Sequence, residues 1–257
     1  MFDLTLWLQA LGVLLGVAII GWLISLPLRN VSLVDTLWSL KFLLCAALYV
    51  GLQQAQSPRA LLLLVLVAIW AVRLSVYITV RNHGHGEDRR YQAIRRNNEP
   101  GFAYKSLYII FGLQALLAWI ISLPLLAAAS GNAPLGLFDI AGVLLWTVGM
   151  VFEAGGDWQL ARFKANPAHA GQVFDGGLWR YTRHPNYFGD FCVWWGFYAL
   201  ALGAGGWWSL AGPLLMSVLL LKVSGVALLE KDIGERRPAY ADYIRRTSAF
   251  FPRRPLD

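Results

Sequence analysis

Charge is scarce in this sequence. Only 14% of its 257 residues are charged, too few to cover the surface of a water-soluble domain of this size. Cysteine is scarcer still: Cys45 and Cys192 lie in different apolar runs, which excludes a disulfide framework and a cysteine metal site. The four histidines, His83, His85, His169 and His184, all fall between apolar runs. None has a partner four residues on, so a haem held within a helical bundle is not indicated and no metal is expected. Glycine-rich phosphate loops are missing too. There is no Gly-x-Gly-x-x-Gly between a strand and a helix and no Walker lysine, and Gly203-Ala204-Gly205-Gly206 reads as a turn. A nucleotide, if one binds, must be held by side chains on helices. Period-two alternation is also absent, which excludes a membrane barrel.

Apolar residues are abundant: 57% of the chain is hydrophobic. They fall in runs of about 20, the length a helix needs to cross a hydrocarbon core of about 30 Å. The fold class expected is all-α, a polytopic membrane helical bundle of about seven transmembrane helices forming a single domain over 1–257. The spans expected are 4–26, 34–52, 60–80, 106–129, 135–157, 187–202 and 207–231. The first run is too long for a signal-peptide core and lacks its basic flank. Arg29, Arg81, Arg89, Arg90, Arg95, Arg96, Lys105, Arg162, Lys164, Arg180, Arg183, Lys231, Arg236, Arg237, Arg245, Arg246, Arg253 and Arg254 all fall on one set of alternate loops and the tail. The opposite set holds Arg59 alone. By the positive-inside rule the N-terminus is out and the C-terminus in. The net charge of +7 is then explained by topology and by anionic membrane lipids, and calls for no nucleic acid. No protein partner is predicted.

Ionisable residues inside spans are costly and point to function. Lys41 and Lys222 are read as snorkelling side chains. Glu153 and Asp157, four apart on one helix face, Asp190 and Glu230 fall at one depth near the inner surface, among basic neighbours. That arrangement reads as a ligand site or, failing that, as a structural ion network. On the third span Arg73, Tyr77 and Arg81 form a polar stripe, and Arg73 could pair with Asp35 on the span before. The loop from His83 to Gln92 by itself reads as solvated. The densest polar segment runs from Arg180 through Arg183, His184, Asn186 and Tyr187 to Asp190. Pro185 suits a first helical turn, and a helix start beside Arg and His suits an anion. Arg236, Tyr240 and Tyr243 are spaced for a short amphipathic helix closing over the same segment or lying on the membrane surface.

The segment Gly177-Leu178-Trp179-Arg180-Tyr181-Thr182-Arg183-His184-Pro185-Asn186-Tyr187-Phe188-Gly189-Asp190 resembles the signature of the steroid 5-alpha-reductase superfamily, and most closely its bacterial DUF1295-type membrane proteins. Further matches are Val34-Asp35-Thr36-Leu37-Trp38, Glu87-Asp88-x-Arg90-Tyr91, Asp157 with Arg162 and Lys164, and Arg236-x-x-x-Tyr240-x-x-Tyr243 with Pro252. The resemblance covers about 34–252.

It implies a seven-helix protein of the bacterial inner membrane that takes NADPH from the cytoplasmic side. The hydride goes to an activated C=C bond in an apolar, lipid-like substrate from the bilayer. Asp157, Arg162, Lys164, Asn186 and Asp190 match cofactor positions, with Arg180, Arg183, His184, Tyr187, Arg236 and Tyr240 as neighbours. Asp35, Arg73 and Tyr77 are the candidates for polarising the substrate carbonyl. Steroid reductases carry a Gln-Glu pair on the second helix and a Tyr on the third. Here the second helix offers Asp35 and the third Trp70, so the resemblance implies the hydride chemistry and not the steroid. Arg183-His184-Pro185-x-Tyr187 and the acidic, Tyr-bearing tail also resemble isoprenylcysteine carboxyl methyltransferases. The alternative is therefore a membrane S-adenosylmethionine-dependent methyltransferase.

Overall fold

The computed structural model describes residues 2–53, 57–223, 225–230 and 240–256. The described residues are helical and contain no strand. The helices are α1 (Leu4–Leu28), α2 (Leu33–Gly51), α3 (Pro58–Asn82), α4 (Arg89–Asn98), α5 (Phe102–Ile121), α6 (Leu123–Ala129), α7 (Leu137–Ala165), α8 (Pro185–Gly203), α9 (Trp207–Val223), α10 (Val226–Glu230) and α11 (Tyr240–Arg246). Five of these, α1, α2, α3, α5 and α7, are long and apolar enough to cross a membrane.

Local chemistry sets the ends. Asp3 accepts from the Leu6 N–H at 2.9 Å and caps α1. That helix stops where Arg29 turns left-handed, φ 48°, and its N–H returns to Leu26. Ser57 caps α3 with Pro58 in the first turn, and Asp88 caps α4. The expected span 106–129 is split: Ser122 and Pro124 separate α5 from α6, since proline starts a helix more readily than it continues one. A π-helical turn, Leu107–Gly112, lies within α5. α7 runs two turns beyond the expected 157 and so carries Arg162 and Lys164 as helical residues. The stretch read as a solvated loop, His83 to Gln92, runs into the first turn of α4.

Two compact units divide the chain, one of residues 1–136 and 200–212, the other of 137–199 and 213–257. In the first, α2 packs along α3, with the Ser39 hydroxyl donating to the Ala71 carbonyl at 2.8 Å. Phe42, Tyr49 and Trp70 fill its interior. Trp7 of α1 and Trp119 of α5 stack at 3.7 Å between ring centroids, and each indole donates to the other's backbone carbonyl. Arg59 is buried and donates to the carbonyls of Ala133 and Pro134.

In the second unit α7 and α8 meet along glycine. A Cβ on Gly189 would lie 2.4 Å from the Glu153 nitrogen, and one on Gly149 would lie 2.6 Å from the Gly189 carbonyl oxygen. One helical repeat away, a Cβ on Gly196 would lie 2.8 Å from the Gly142 oxygen. Small residues permit this backbone-to-backbone approach, a packing mode suited to apolar surroundings. The outer faces are apolar throughout: Leu8, Ile20 and Leu23 on α1, Val65, Ile69 and Val76 on α3, and Ile140, Leu144 and Val151 on α7 are all exposed. A hydrophobic exterior of this extent suits hydrocarbon, not water.

Candidate functional site

The second unit gathers most of the residues singled out by the sequence. Asp157 is buried on α7, and Asn186 in the first turn of α8 donates to its Oδ1 at 3.1 Å. The Asn186 side-chain oxygen in turn accepts the Tyr187 N–H. Glycine brings the two helices this close: a Cβ on Gly156 would stand 3.0 Å from Pro185. Glu153 and Asp190 are buried near the same crossing. Around it, Arg162, Lys164 and Arg180 are exposed, with the Arg162 guanidinium 5.5 Å from the centre of the Trp158 ring. Along the end of α7, Phe163 stacks on His169 at 4.3 Å and on Phe174 at 4.8 Å. These rings and Lys164 line a shallow hollow.

Arg183 and His184 are engaged differently. The Arg183 guanidinium makes a two-pronged pair with Glu230, at 2.7 and 2.8 Å, and donates to the carbonyls of Ile244 and Thr247. His184 Nε2 lies 2.9 Å from the same carboxylate. Burial alone would lower the Arg183 pKa, but the hydrogen bonds and charge of Glu230 outweigh it and raise it. Both residues therefore hold the C-terminal segment to the loop. Tyr243 donates to the Trp179 carbonyl, Thr182 to Phe250 at 2.8 Å, and the Arg253 N–H to Tyr181 at 2.9 Å. Tyr187 stacks beside His184, and Tyr240 is buried edge-on to Tyr243. Of the expected short helix, the part that carries Tyr240 and Tyr243 is helical, as α11. Arg236 lies outside the described residues.

The first unit holds Asp35, Arg73 and Tyr77. Asp35 is taken up by α4: Arg90 pairs with it at 2.7 Å and the Tyr91 hydroxyl donates to it. Burial, and then the charge of Asp35, push the Tyr91 phenol up, so it remains the donor. Asp88 caps α4, pairs with Arg90 at 3.0 Å and accepts no less from its backbone, while its own N–H is held by Ser32. Glu87 accepts two hydrogen bonds from Arg95 and one from the Val31 N–H. Arg73 and Tyr77 are half-buried on α3, and the Arg81 guanidinium lies 5.8 Å from the Tyr77 ring centre.

Lys41 does not snorkel. It is 1% exposed and donates to Gln114 of α5 at 3.1 Å. Gln114 in turn reaches the Tyr91 hydroxyl at 3.4 Å. Arg90, Tyr91 and Gln114 were not among the expected site residues. Glu87-Asp88-x-Arg90-Tyr91 matched the family pattern, yet nothing local in a charged loop says which carboxylate it will seek. Gln114 is a lone amide in an apolar run, and that was the available signal.

Long apolar helices with hydrocarbon-suited exteriors and polar residues gathered at helix ends define a multi-pass helical membrane protein. The chain belongs to the DUF1295 family, described as proteins of unknown function, whose model matches residues 21–247. It is also similar to an uncharacterized protein of Schizosaccharomyces pombe, 27% identical over 270 residues that cover 90% of this chain and 75% of the yeast protein. No solved structure matches the chain.

Proposed function

We propose that the protein is an NADPH-dependent membrane reductase of an activated C=C bond in an apolar, lipid-like substrate. The observation that carries this reading is the hydrogen-bonded pair of buried Asp157 and half-buried Asn186, with the exposed cations Arg162, Lys164 and Arg180 on the same helix and the adjoining segment. The donor set suits the cofactor. A carboxylate and an amide match ribose hydroxyls or a carboxamide, and the cations match phosphates, arginine through its forked donors. The ring-lined hollow beside Lys164 suits a stacked base. Arg183 and His184, committed to Glu230, act by fixing the loop that carries Arg180 and Asn186. When bound, the nicotinamide supplies hydride. The chain's own side chains bind and orient it and exclude water.

The remaining features of the reading are seven spans, with α8 and α9 completing the five long ones, N-terminus out and C-terminus in, in a bacterial inner membrane. They are supported by the clustering of basic residues on alternate loops and by the family resemblance. The apolar substrate is supported by the hydrophobic exterior, which offers entry from the bilayer. The test is calorimetric binding of NADPH and of S-adenosylmethionine to wild type, Asp157→Ala and Asn186→Ala in detergent. NADPH binding is expected. Each substitution should weaken it about tenfold to a hundredfold, the worth of one hydrogen bond to a charged group. Binding of S-adenosylmethionine with no binding of NADPH would establish the methyltransferase instead.

A further inference from the structure

A lysine buried in a membrane span needs a reason, because an ammonium taken out of water is costly unless it is paired. Lys41 has a stem long enough to reach toward an interface, yet its side chain turns inward. Its hydrogen-bond partner is neutral, the side-chain carbonyl oxygen of Gln114 at 3.1 Å, and its Nζ lies 5.7 Å from the centre of the Trp38 ring. The network's carboxylate, Asp35, is already engaged by Arg90 and Tyr91. Asp35 reaches the lysine through its charge alone, whereas a structural ion pair would have put that carboxylate in hydrogen-bonding contact. This arrangement instead puts a carbonyl there, carried on a half-buried side chain whose other end is held only at 3.4 Å by Tyr91. Gln114 also follows directly on the π-helical turn Leu107–Gly112. Such turns shift the register of a helix face and are frequent at functional sites.

We propose that Lys41 is the group that receives the carbonyl oxygen of an apolar ligand, with the Gln114 carbonyl holding that place until the ligand displaces it. The ligand class is an aldehyde or ketone on a long apolar body, lying among α2, α3 and α5. For the fate of the double bond this inference rests on the reductase reading, but for the binding of the carbonyl it does not. Lys41 would donate to the carbonyl oxygen and so stabilise the negative charge that develops there when a conjugated double bond is reduced. This assigns to Lys41 the carbonyl-polarising role that the sequence had suggested for Asp35, Arg73 or Tyr77.

Reductive trapping tests the site without any nicotinamide. Wild-type protein in detergent at mildly alkaline pH is treated with hexadecanal and sodium cyanoborohydride, or with acetaldehyde and the same reductant, and modified lysines are located by peptide mass spectrometry. An aldehyde bound at an amine condenses to an imine with loss of water, and borohydride reduces the imine to a stable secondary amine. Hexadecanal is expected to modify Lys41, whereas acetaldehyde should modify the exposed Lys164 and Lys222 in its place. Gln114→Ala, which removes the surrogate carbonyl, should raise the Lys41 adduct about tenfold or more, as expected for loss of one competing hydrogen bond to a charged group. If Lys41 stays unmodified by hexadecanal in wild type and in Gln114→Ala while Lys164 and Lys222 react, the inference is overturned. Equal modification of Lys41 by both aldehydes overturns the apolar specificity. A failure of the cofactor reading would show in calorimetry and leave this result untouched.

Discussion

At the scale of single residues, the segment carrying α4 is held to α2 by charge set into partial burial. Tyr91 is the joint, donating to Asp35 and accepting from Gln114. Tyr91→Phe keeps the ring and removes both bonds, leaving the half-buried Asp35 carboxylate one donor short. It should lower stability by about 1–3 kcal/mol, read as a lower unfolding midpoint in detergent, whereas Tyr104→Phe, at an exposed position, should change nothing. The two carboxylates beside it titrate together. Burial would raise Glu87 and Asp88, but the hydrogen bonds and charges of Arg95 and Arg90 outweigh it and hold both below their ordinary values of 4.5 and 3.8. Groups depressed in the folded state add stability that is complete above the unfolded pKa and is lost as pH falls through the folded one. The protection of the α4 amides, corrected for the intrinsic pH dependence of exchange, should therefore hold steady above the ordinary carboxylate range and fall as the pH drops below it, with the α3 interior unaffected.

At the scale of elements, the glycines along α7 and α8 decide how near the two helices come. Gly142, Gly149 and Gly156 recur every seventh residue, opposite Gly189 and Gly196 with the same spacing. Gly189→Ala would drive a methyl into the Glu153 backbone, and overpacking of this kind costs about 1–3 kcal/mol. Because Asn186 and Asp157 meet only at this separation, the substitution should also weaken NADPH, checked by the same calorimetry, more than Gly16→Ala at an open position. Most helices were legible from hydropathy alone, since length and apolar composition are properties of the run itself. The start of α8 was legible from Pro185. The π-turn in α5, the break at Ser122 and the helix α4 were not, because each depends on tertiary partners: the Tyr49 hydroxyl on Ser122, and Asp35 and Val31 beneath the loop. The pairing of Asp157 with Asn186 was foreshadowed by resemblance. The capture of Arg183 and His184 by Glu230 realises the ion network read as the alternative for these acids and their basic neighbours, although nothing in the sequence said which bases Glu230 would take.

At the scale of the whole molecule, the basic residues sort onto alternate connections, and that sorting predicts sidedness. A reporter fused after Asp257 should be active only as a cytoplasmic fusion and one inserted at Gly205 only as an external one, and the reverse pair would overturn the seven-span reading. The stacked indoles of Trp7 and Trp119 also have an optical consequence. Two parallel rings at 3.7 Å, tilted by 17°, couple their electronic transitions, so this pair should give a paired positive and negative band in the circular dichroism of the protein among its 12 tryptophans. Trp119→Phe should abolish that couplet. Its amplitude then follows the joining of α1 to α5 directly, a label-free signal by which detergents, lipids and ligands can be compared.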